Sequence, residues 1–382
     1  MPSEPKNIQL FRPFFRIQEC LDEVEECLEQ GWTGLGFKTS QLENLWNKEF
    51  GFQNSVFLNS ATSGLHLALE TLKRTRKWNI GDEIISSPLT FVSANHSIIH
   101  AGLTPVFADV DDTLCLSPES VLNAISPKTK CIVYVGLGGN VGNYAAIRDI
   151  CREKNLALIL DAAHMSGSYD NGAQVGLDAD VTVFSFQAVK NLGTADAGMA
   201  CFANSGEDTL AREMSWLGIS KDTFARQASS GKYQWKYEVD EVGFKYHGNS
   251  VVAALGLVGL KYLKRDNAYR REVANAYFSQ LEGLESVIPV SHVNEAESSR
   301  HLFQILAIDR DDLMQHLSNK GIATGVHYRT NTDYPTYSKQ SNRVPKACAL
   351  SSRLVSLPLH LLLDESDIQR ICREIISFYE GR

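Results

Sequence analysis

Two apolar runs constrain this chain most, because each ends at a residue that no apolar core would choose. The run 156–160 (Leu-Ala-Leu-Ile-Leu) continues into Asp161-Ala-Ala-His164, and the run 181–184 (Val-Thr-Val-Phe) into Ser185-Phe-Gln-Ala-Val-Lys190-Asn191. Short continuous apolar runs of this kind read as strands buried on both faces, as in a parallel sheet. Asp161 and Lys190 then stand at or beyond strand carboxyl ends. That edge of an open α/β sheet is where ligands bind.

The chain around these runs alternates between strand and helix signals. Ile17, Leu21, Val24 and Leu28 repeat at helical spacing before Gly31, and a second helix is expected over 41–50. Strands are expected at 56–58, 83–86, 105–108 and 131–135, each followed by a helix, at 65–72, 93–101, 117–125 and 144–154. Beyond Lys190, residues 206–246 are polar, carry Trp216 and Trp235, and show no clear period. Helices are expected over 249–264, 268–281 and 368–379. The pattern predicts an α/β fold: a mostly parallel central sheet flanked by helices, with a smaller α+β C-terminal domain. The large domain is expected over 1–249 and the small one over 250–382, with the N-terminal helix packing on the small domain.

Charge and composition narrow the function. The net charge of −8, with both signs interspersed, disfavours a general nucleic-acid or anionic-membrane surface. The eight cysteines form no C-x-x-C pair, and several fall within apolar helix or strand patterns. No stretch approaches 18 apolar residues, and Met1-Pro-Ser-Glu-Pro-Lys lacks an apolar signal core. A reduced, soluble, cytoplasmic protein is expected, with no metal site.

Ser60-Ala-Thr62-Ser63-Gly64 lies between a strand and a helix. Free backbone N–H groups and hydroxyls there suit an anion, and Ser185 adds a hydroxyl at a second strand end. The same residues also suit plain helix capping. Phe91 is placed to stack on a flat ring at the sheet edge, or to serve as an ordinary core aromatic. His164 suits a ring hydroxyl, or a structural role. An aspartate and a lysine at one sheet edge, beside a phosphate cup, fit pyridoxal phosphate: its aldehyde needs the lysine and its ring nitrogen the acid.

Two other motifs compete. Gly136-Leu-Gly138-Gly139-Asn-Val141-Gly142 imitates the dinucleotide fingerprint of a dehydrogenase, but its sixth position is valine. Asp109-Val-Asp111-Asp-Thr113 imitates the aspartyl loop of haloacid-dehalogenase-like phosphatases, without a convincing downstream acidic cluster for their metal.

Taken together, the blocks resemble the DegT-like sugar aminotransferases, which are fold-type-I pyridoxal-phosphate enzymes. The resemblance runs through Gly31-Trp-Thr-Gly-Leu-Gly36, Asn59-Ser-Ala-Thr-Ser-Gly-Leu65, Gly81-Asp-Glu-Ile-Ile, Pro88-Leu-Thr-Phe91 and Thr104-Pro-Val-Phe-Ala-Asp-Val110. It continues in Asp161-Ala-Ala-His164, Phe184-Ser-Phe-Gln-Ala-Val-Lys-Asn-Leu192, Gly243-Phe-Lys-Tyr-His, Gly325-Val-His-Tyr328 and Leu357-Pro-Leu-His360.

The resemblance implies roles. Lys190 would carry the cofactor as a Schiff base, Asp161 pair with the pyridine nitrogen, Phe91 stack on the ring and His164 contact its hydroxyl. Thr62, Ser63 and Ser185 would hold the phosphate. Lys245 stands where many members send an asparagine into the partner subunit's site, so a homodimer with shared sites is implied. Trp32, His327, Tyr328 and Arg329 are implied near substrate. The implied reaction moves nitrogen from glutamate to a keto sugar, nucleotide-linked or free. Departures from the family pattern are Gly136 for histidine, Asn143 for aspartate, and Ala195 and Ala197 for two glycines. Lys190 itself is present, which favours transamination over the sister 3-dehydration, where histidine replaces the lysine.

Overall fold

The structure, a computed structural model, describes residues 7–220 and 238–381. Helices α1 (Ile17–Glu29) and α2 (Phe37–Phe50) precede β1 (Ser55–Leu58), α3 (Ala61–Thr75), β2 (Glu83–Ser86), α4 (Val92–His100) and β3 (Thr104–Phe107). Then come α5 (Pro118–Ala124), β4 (Thr129–Val135), α6 (Tyr144–Lys154) and β5 (Ala157–Asp161). A small hairpin, β6 (Tyr169–Asp170) and β7 (Ala173–Gln174), leads to β8 (Val181–Ser185), β9 (Gly198–Phe202) and α7 (Ser205–Ser215). The C-terminal part holds α8 (Ser250–Gln280), β10 (Val287–Pro289), β11 (Phe303–Ala307), α9 (Arg310–Asn319), α10 (Pro345–Arg353), β12 (Leu354–Leu357) and α11 (Glu365–Glu380).

The central sheet has seven strands in the order β1-β9-β8-β5-β4-β2-β3. The β8-β5-β4-β2-β3 block is parallel, and β9 runs antiparallel to both β8 and β1. Strand period two divides its side chains between two cores. Ile132, Tyr134, Leu158, Leu160 and Phe184 enter one, with Trp46 and Leu257. Val133, Ile159, Val181 and Val183 enter the other, with Leu65 and Leu69. Burial on both faces explains why these strands read as unbroken apolar runs rather than alternating ones. A second, antiparallel sheet, β10-β11-β12, has its own core of Phe303, Ile305, Val355, Ile371 and Ile375.

Two sequence expectations need correction. The helices expected over 249–264 and 268–281 are one helix of 31 residues, α8. Its polar middle looked like a break, but those side chains make tertiary contacts: Asp266 binds Arg16 at 2.7 Å, and Asn267 Nδ2 donates to Ser166 O at 2.9 Å. The first half of α8 joins the large core through Ala253, Leu257 and Leu263, and the second half joins the small core through Val273, Ala274 and Tyr277. The stretch 206–246 opens with helix α7, capped by Asn204, whose oxygen accepts from Gly206 and Glu207 N–H groups. Only Ala211 and Met214 of α7 are fully buried in the core, too few for a visible period. Trp235 lies outside the described residues. Strand β9 was not anticipated. Helix α1 lies against α8, where Tyr262 Oη donates to Glu19 Oε1 at 2.7 Å, and Ile8 bridges to Ile322.

Trp46 anchors the larger core. Its ring centre lies 4.4, 4.9 and 5.1 Å from those of Phe50, Phe184 and Phe186. Trp46→Ala is expected to remove about 3–5 kcal/mol of stability. Denaturant titration should show the midpoint falling, and a loss below about 1 kcal/mol would mean that this cluster does not hold the core.

Candidate active site

The register aligns Val135 of β4 with Asp161 of β5, and Asp161 with Val183 of β8. Their carboxyl ends therefore open at one place. A cleft of about 460 Å³ lies there, lined by Thr62, Phe91, Asp161, His164, Ser185, Lys190, His327 and Tyr328 among others. Eight of the residues singled out from sequence meet in it. Lys190 sits in the turn after β8, closed by Lys190 N–H to Gln187 O at 2.8 Å and by Ala188 N–H to Ala195 O at 2.9 Å.

The cleft alters the acid–base character of this pair. Burial pulls the Lys190 amine down to about 8, against the opposing pull of Asp161. Burial pushes the Asp161 carboxyl up to about 6, opposed by the Ala163 N–H, which donates to Oδ1 at 3.1 Å, and by Lys190. Near neutral pH the carboxylate is mostly charged, and a useful fraction of the amine is free base. His164 is held neutral, well below its ordinary value, first by burial and then by Lys190 and His327. The Gly138 N–H donates to its Nδ1 at 3.1 Å, so its proton is on Nε2, which faces Tyr328 Oη at 3.3 Å. His327 is lowered to about 4 by burial and by Lys190.

Four sequence candidates lie outside the cleft lining. The Ser63 hydroxyl donates to Asn59 Oδ1 at 2.7 Å, and its N–H donates to Ser60 Oγ at 3.1 Å, which is the capping arrangement. Trp32 Nε1 donates to Leu35 O at 2.7 Å. Arg329 is exposed and paired with Asp333 at 2.8 Å. The Lys245 ammonium lies 3.4 Å from the ring centre of Trp216, and its carbonyl accepts from Asn59 Nδ2 at 3.2 Å. Phe91, 57% exposed, stands at the cleft mouth with its ring centre 5.9 Å from that of Tyr328.

The competing motifs resolve into structural parts. Leu137, Gly138 and Gly139 are buried. A Cβ on Gly139 would strike the Ser299 hydroxyl, and one on Gly142 would lie 2.6 Å from Tyr134 Oη. These glycines allow close packing and leave no room for a pyrophosphate. Asp109 caps α10 by accepting from the Lys346 and Ala347 N–H groups at 2.9 and 2.8 Å. Among the described residues no acidic, histidine or cysteine group is arranged for a metal.

Sequence reasoning missed Gln187 and Asp196, which line the cleft, and His301, which lies behind it. The available signal for His301 was a polar cluster, Ser298-Ser-Arg-His301, set against an apolar strand.

These residues fit pyridoxal phosphate. The amine is desolvated, the acid is enclosed beside it, and the Thr62 and Ser185 side chains stand at the head of α3 and the end of β8. There the first-turn N–H groups point toward an anion.

The sequence matches the DegT/DnrJ/EryC1/StrS aminotransferase family over residues 16–376. SpsC of Bacillus subtilis, a spore coat polysaccharide biosynthesis protein, is 34% identical over 380 residues, 95% of each chain. Spr1654 from Streptococcus pneumoniae, solved in its PLP form, shares 28% identity at a TM-score of 0.89, covering 98% of this chain and 99% of that one. Helicobacter pylori PseC, an aminotransferase involved in the biosynthesis of pseudoaminic acid, shares 25% identity at a TM-score of 0.88, covering 99% of this chain and all of that one. The chain therefore belongs to the DegT/DnrJ/EryC1/StrS aminotransferase family and is a transaminase dependent on pyridoxal phosphate.

Proposed function

We propose that the protein transfers an amino group from glutamate to a keto sugar, carried on a nucleotide, in the making of amino sugars for cell-surface polysaccharide. The observation that carries this reading is the enclosure of Lys190 and Asp161 in one cleft with their proton affinities drawn together. The similarity to SpsC and PseC supports the sugar and polysaccharide context. The enzyme works as a cytoplasmic homodimer whose sites are shared between chains.

Bound in the cleft, pyridoxal phosphate supplies an aldehyde that exchanges for the donor's nitrogen and a ring that takes up electrons from the donor's α-carbon. Lys190 Nζ holds the cofactor and carries the α-proton, a task suited to an amine lowered toward neutrality. Asp161 keeps the ring nitrogen protonated. The His164 Nε2–H serves as a donor to the ring hydroxyl, fixed in that tautomer by Gly138. Thr62 and Ser185 hold the phosphate with the α3 terminus, and Ser63 shapes that turn. Phe91 closes on the ring face. Trp32, His327, Tyr328 and Arg329 serve the sugar side, while Lys245 acts on the partner subunit's cleft.

Glutamate and a panel of keto sugars, with and without nucleotide, test the reading. Mass analysis should find an amino sugar, and borohydride on the cofactor-loaded protein should fix the cofactor on Lys190. Product from free sugars alone would replace the nucleotide-linked substrate with a free one. Amination of small α-keto acids alone would sink the sugar assignment.

Asp161→Asn separates charge from shape. Transamination should fall about 10- to 100-fold, the equivalent of a charge-assisted bond of about 1.5–3 kcal/mol. Stability should move the other way. The folded carboxyl near 6 lies above its ordinary 3.8, so the folded state holds the proton more tightly, and stability is lost as pH rises through that window. The cofactor-free variant should thus melt higher than wild type at pH 7, with the gap closing below about pH 4. Near-normal turnover with cofactor bound would remove the assigned role.

The shared site is tested by mixing. Lys190→Ala and Lys245→Ala subunits should each be inactive or weak in cofactor retention alone. Together they should regain activity, because each mixed dimer holds one doubly broken and one intact site. No recovery after confirmed subunit exchange would confine Lys245 to its own chain.

A further inference from the structure

The residue after Lys190 is fixed by a set of contacts to which the reaction assigns no role. Asn191 Nδ2 donates to Ser299 O at 2.7 Å and to Asn267 Oδ1 of α8 at 2.7 Å. A backbone carbonyl only accepts, so this settles which way the carboxamide faces. Its oxygen then faces His301 Nδ1 at 2.9 Å, and the histidine must carry its proton there. The segment holding His301 is itself tied to the other two turns of the cleft. His301 N–H donates to Gly138 O at 2.8 Å, and the Ser299 hydroxyl donates to His164 O at 2.7 Å. The His301 ring packs between His164, at 4.5 Å between centres, and Phe11, stacked at 5.8 Å. It is fully buried, and burial, His164 and Lys190 keep it neutral, so it is a fixed donor and not a proton carrier.

We propose that His301 is a positioning residue: its Nδ1–H locks the Asn191 carboxamide and so holds the adjoining Lys190 amine inside the cleft. The proposal rests on Lys190 being the cofactor lysine. His301 leads into β11 of the small domain while Asn191 follows β8 of the large sheet, so the lock also joins the reactive turn to the small domain. Without the donor, Asn191 Oδ1 loses its partner in this half-buried turn, and the turn relaxes toward one that satisfies it with water. Lys190 then gains solvent, and its proton affinity rises toward the ordinary lysine value. The other groups facing its amine are Asp161 from β5, His164 after β5, and His327 before α10.

Three substitutions test this. In His301→Asn the amide nitrogen takes the place of Nδ1, in His301→Gln it reaches only the place of Nε2, and His301→Ala offers neither. On cofactor-free protein, the pH midpoint for acylation of Lys190 is read by peptide mass. In His301→Ala and His301→Gln the midpoint should rise by about one pH unit, and kcat should fall at least about tenfold with KM for glutamate within about twofold. His301→Asn should restore both. An unchanged midpoint in His301→Gln, or His301→Asn failing as badly as His301→Gln at equal melting temperature, would overturn the proposal. The Asn and Gln pair decides the matter even where His301→Ala does not fold. Borohydride labelling of wild type distinguishes the underlying reading: a label on another lysine breaks that reading, while a label on Lys190 with flat midpoints breaks only this proposal.

Discussion

The rest of the site depends on one unfavourable arrangement, an amine and a carboxylate taken out of water at the same sheet edge. Burial opposes charge on both. Each group also favours charge on the other, and the balance leaves them about two units apart, instead of the six or more that separate ordinary lysine and aspartate. That arrangement raises the free energy of the folded chain. It persists because seven strands and two apolar cores over-determine where Asp161 and the turn after Ser185 must stand. In the proposed roles a bound pyridinium would relieve Asp161 and covalent attachment would relieve Lys190, which would couple cofactor binding to folding.

Close backbone approaches make the cleft. Gly198 of β9 lies against the head of α3: a Cβ there would sit 2.7 Å from Ala61 N and 2.7 Å from Ser60 C. The N-terminus of α3 is thus seated directly over the sheet, with Thr62 turned toward Lys190's side of the cleft. From the other direction the segment before α10 closes the mouth. Asn331 Nδ2 donates to Thr90 O at 2.7 Å, and its Oδ1 accepts from Asn95 Nδ2 at 2.9 Å. These bonds hold the 325–334 segment, with His327 and Tyr328, beside the Phe91 loop.

The sequence was legible where a strand is buried on both faces and ends abruptly in a polar residue. Asp161, Ser185 and Lys190 stood out for that reason, and all three line the cleft. Helix capping was legible as chemistry but ambiguous in purpose. Ser63 bonds to Ser60 and to Asn59 and stays out of the lining, whereas Thr62 lines the cleft. Residues whose importance is purely tertiary were not legible. The polar run in the middle of α8 looked like a loop because Asp266 and Asn267 find their partners 250 and 101 positions away. The polar cluster around His301 hinted at burial but not at its purpose, since its partners Asn191, Gly138 and His164 come from three separate turns.

The departures from the family pattern acquire physical meaning in this setting. Asn143 lies away from the cleft and donates through Nδ2 to Asp111 and to Leu116 O. An aspartate there would oppose Asp111, so this change is local charge matching. Gly136 is different, because it lines the cleft floor. A Cβ at this position would run into Met165 Sδ, so the space is already filled from beneath by a buried thioether. Exchanging histidine for glycine therefore does not enlarge the cleft. It removes a titratable donor and leaves His164 and His327 as the neutral imidazoles lining it, each held low by burial and by Lys190. For the proposed sugar substrate, a floor with fewer donors would demand less of its hydroxyl pattern at that point and would leave recognition to the His327 and Tyr328 side of the mouth.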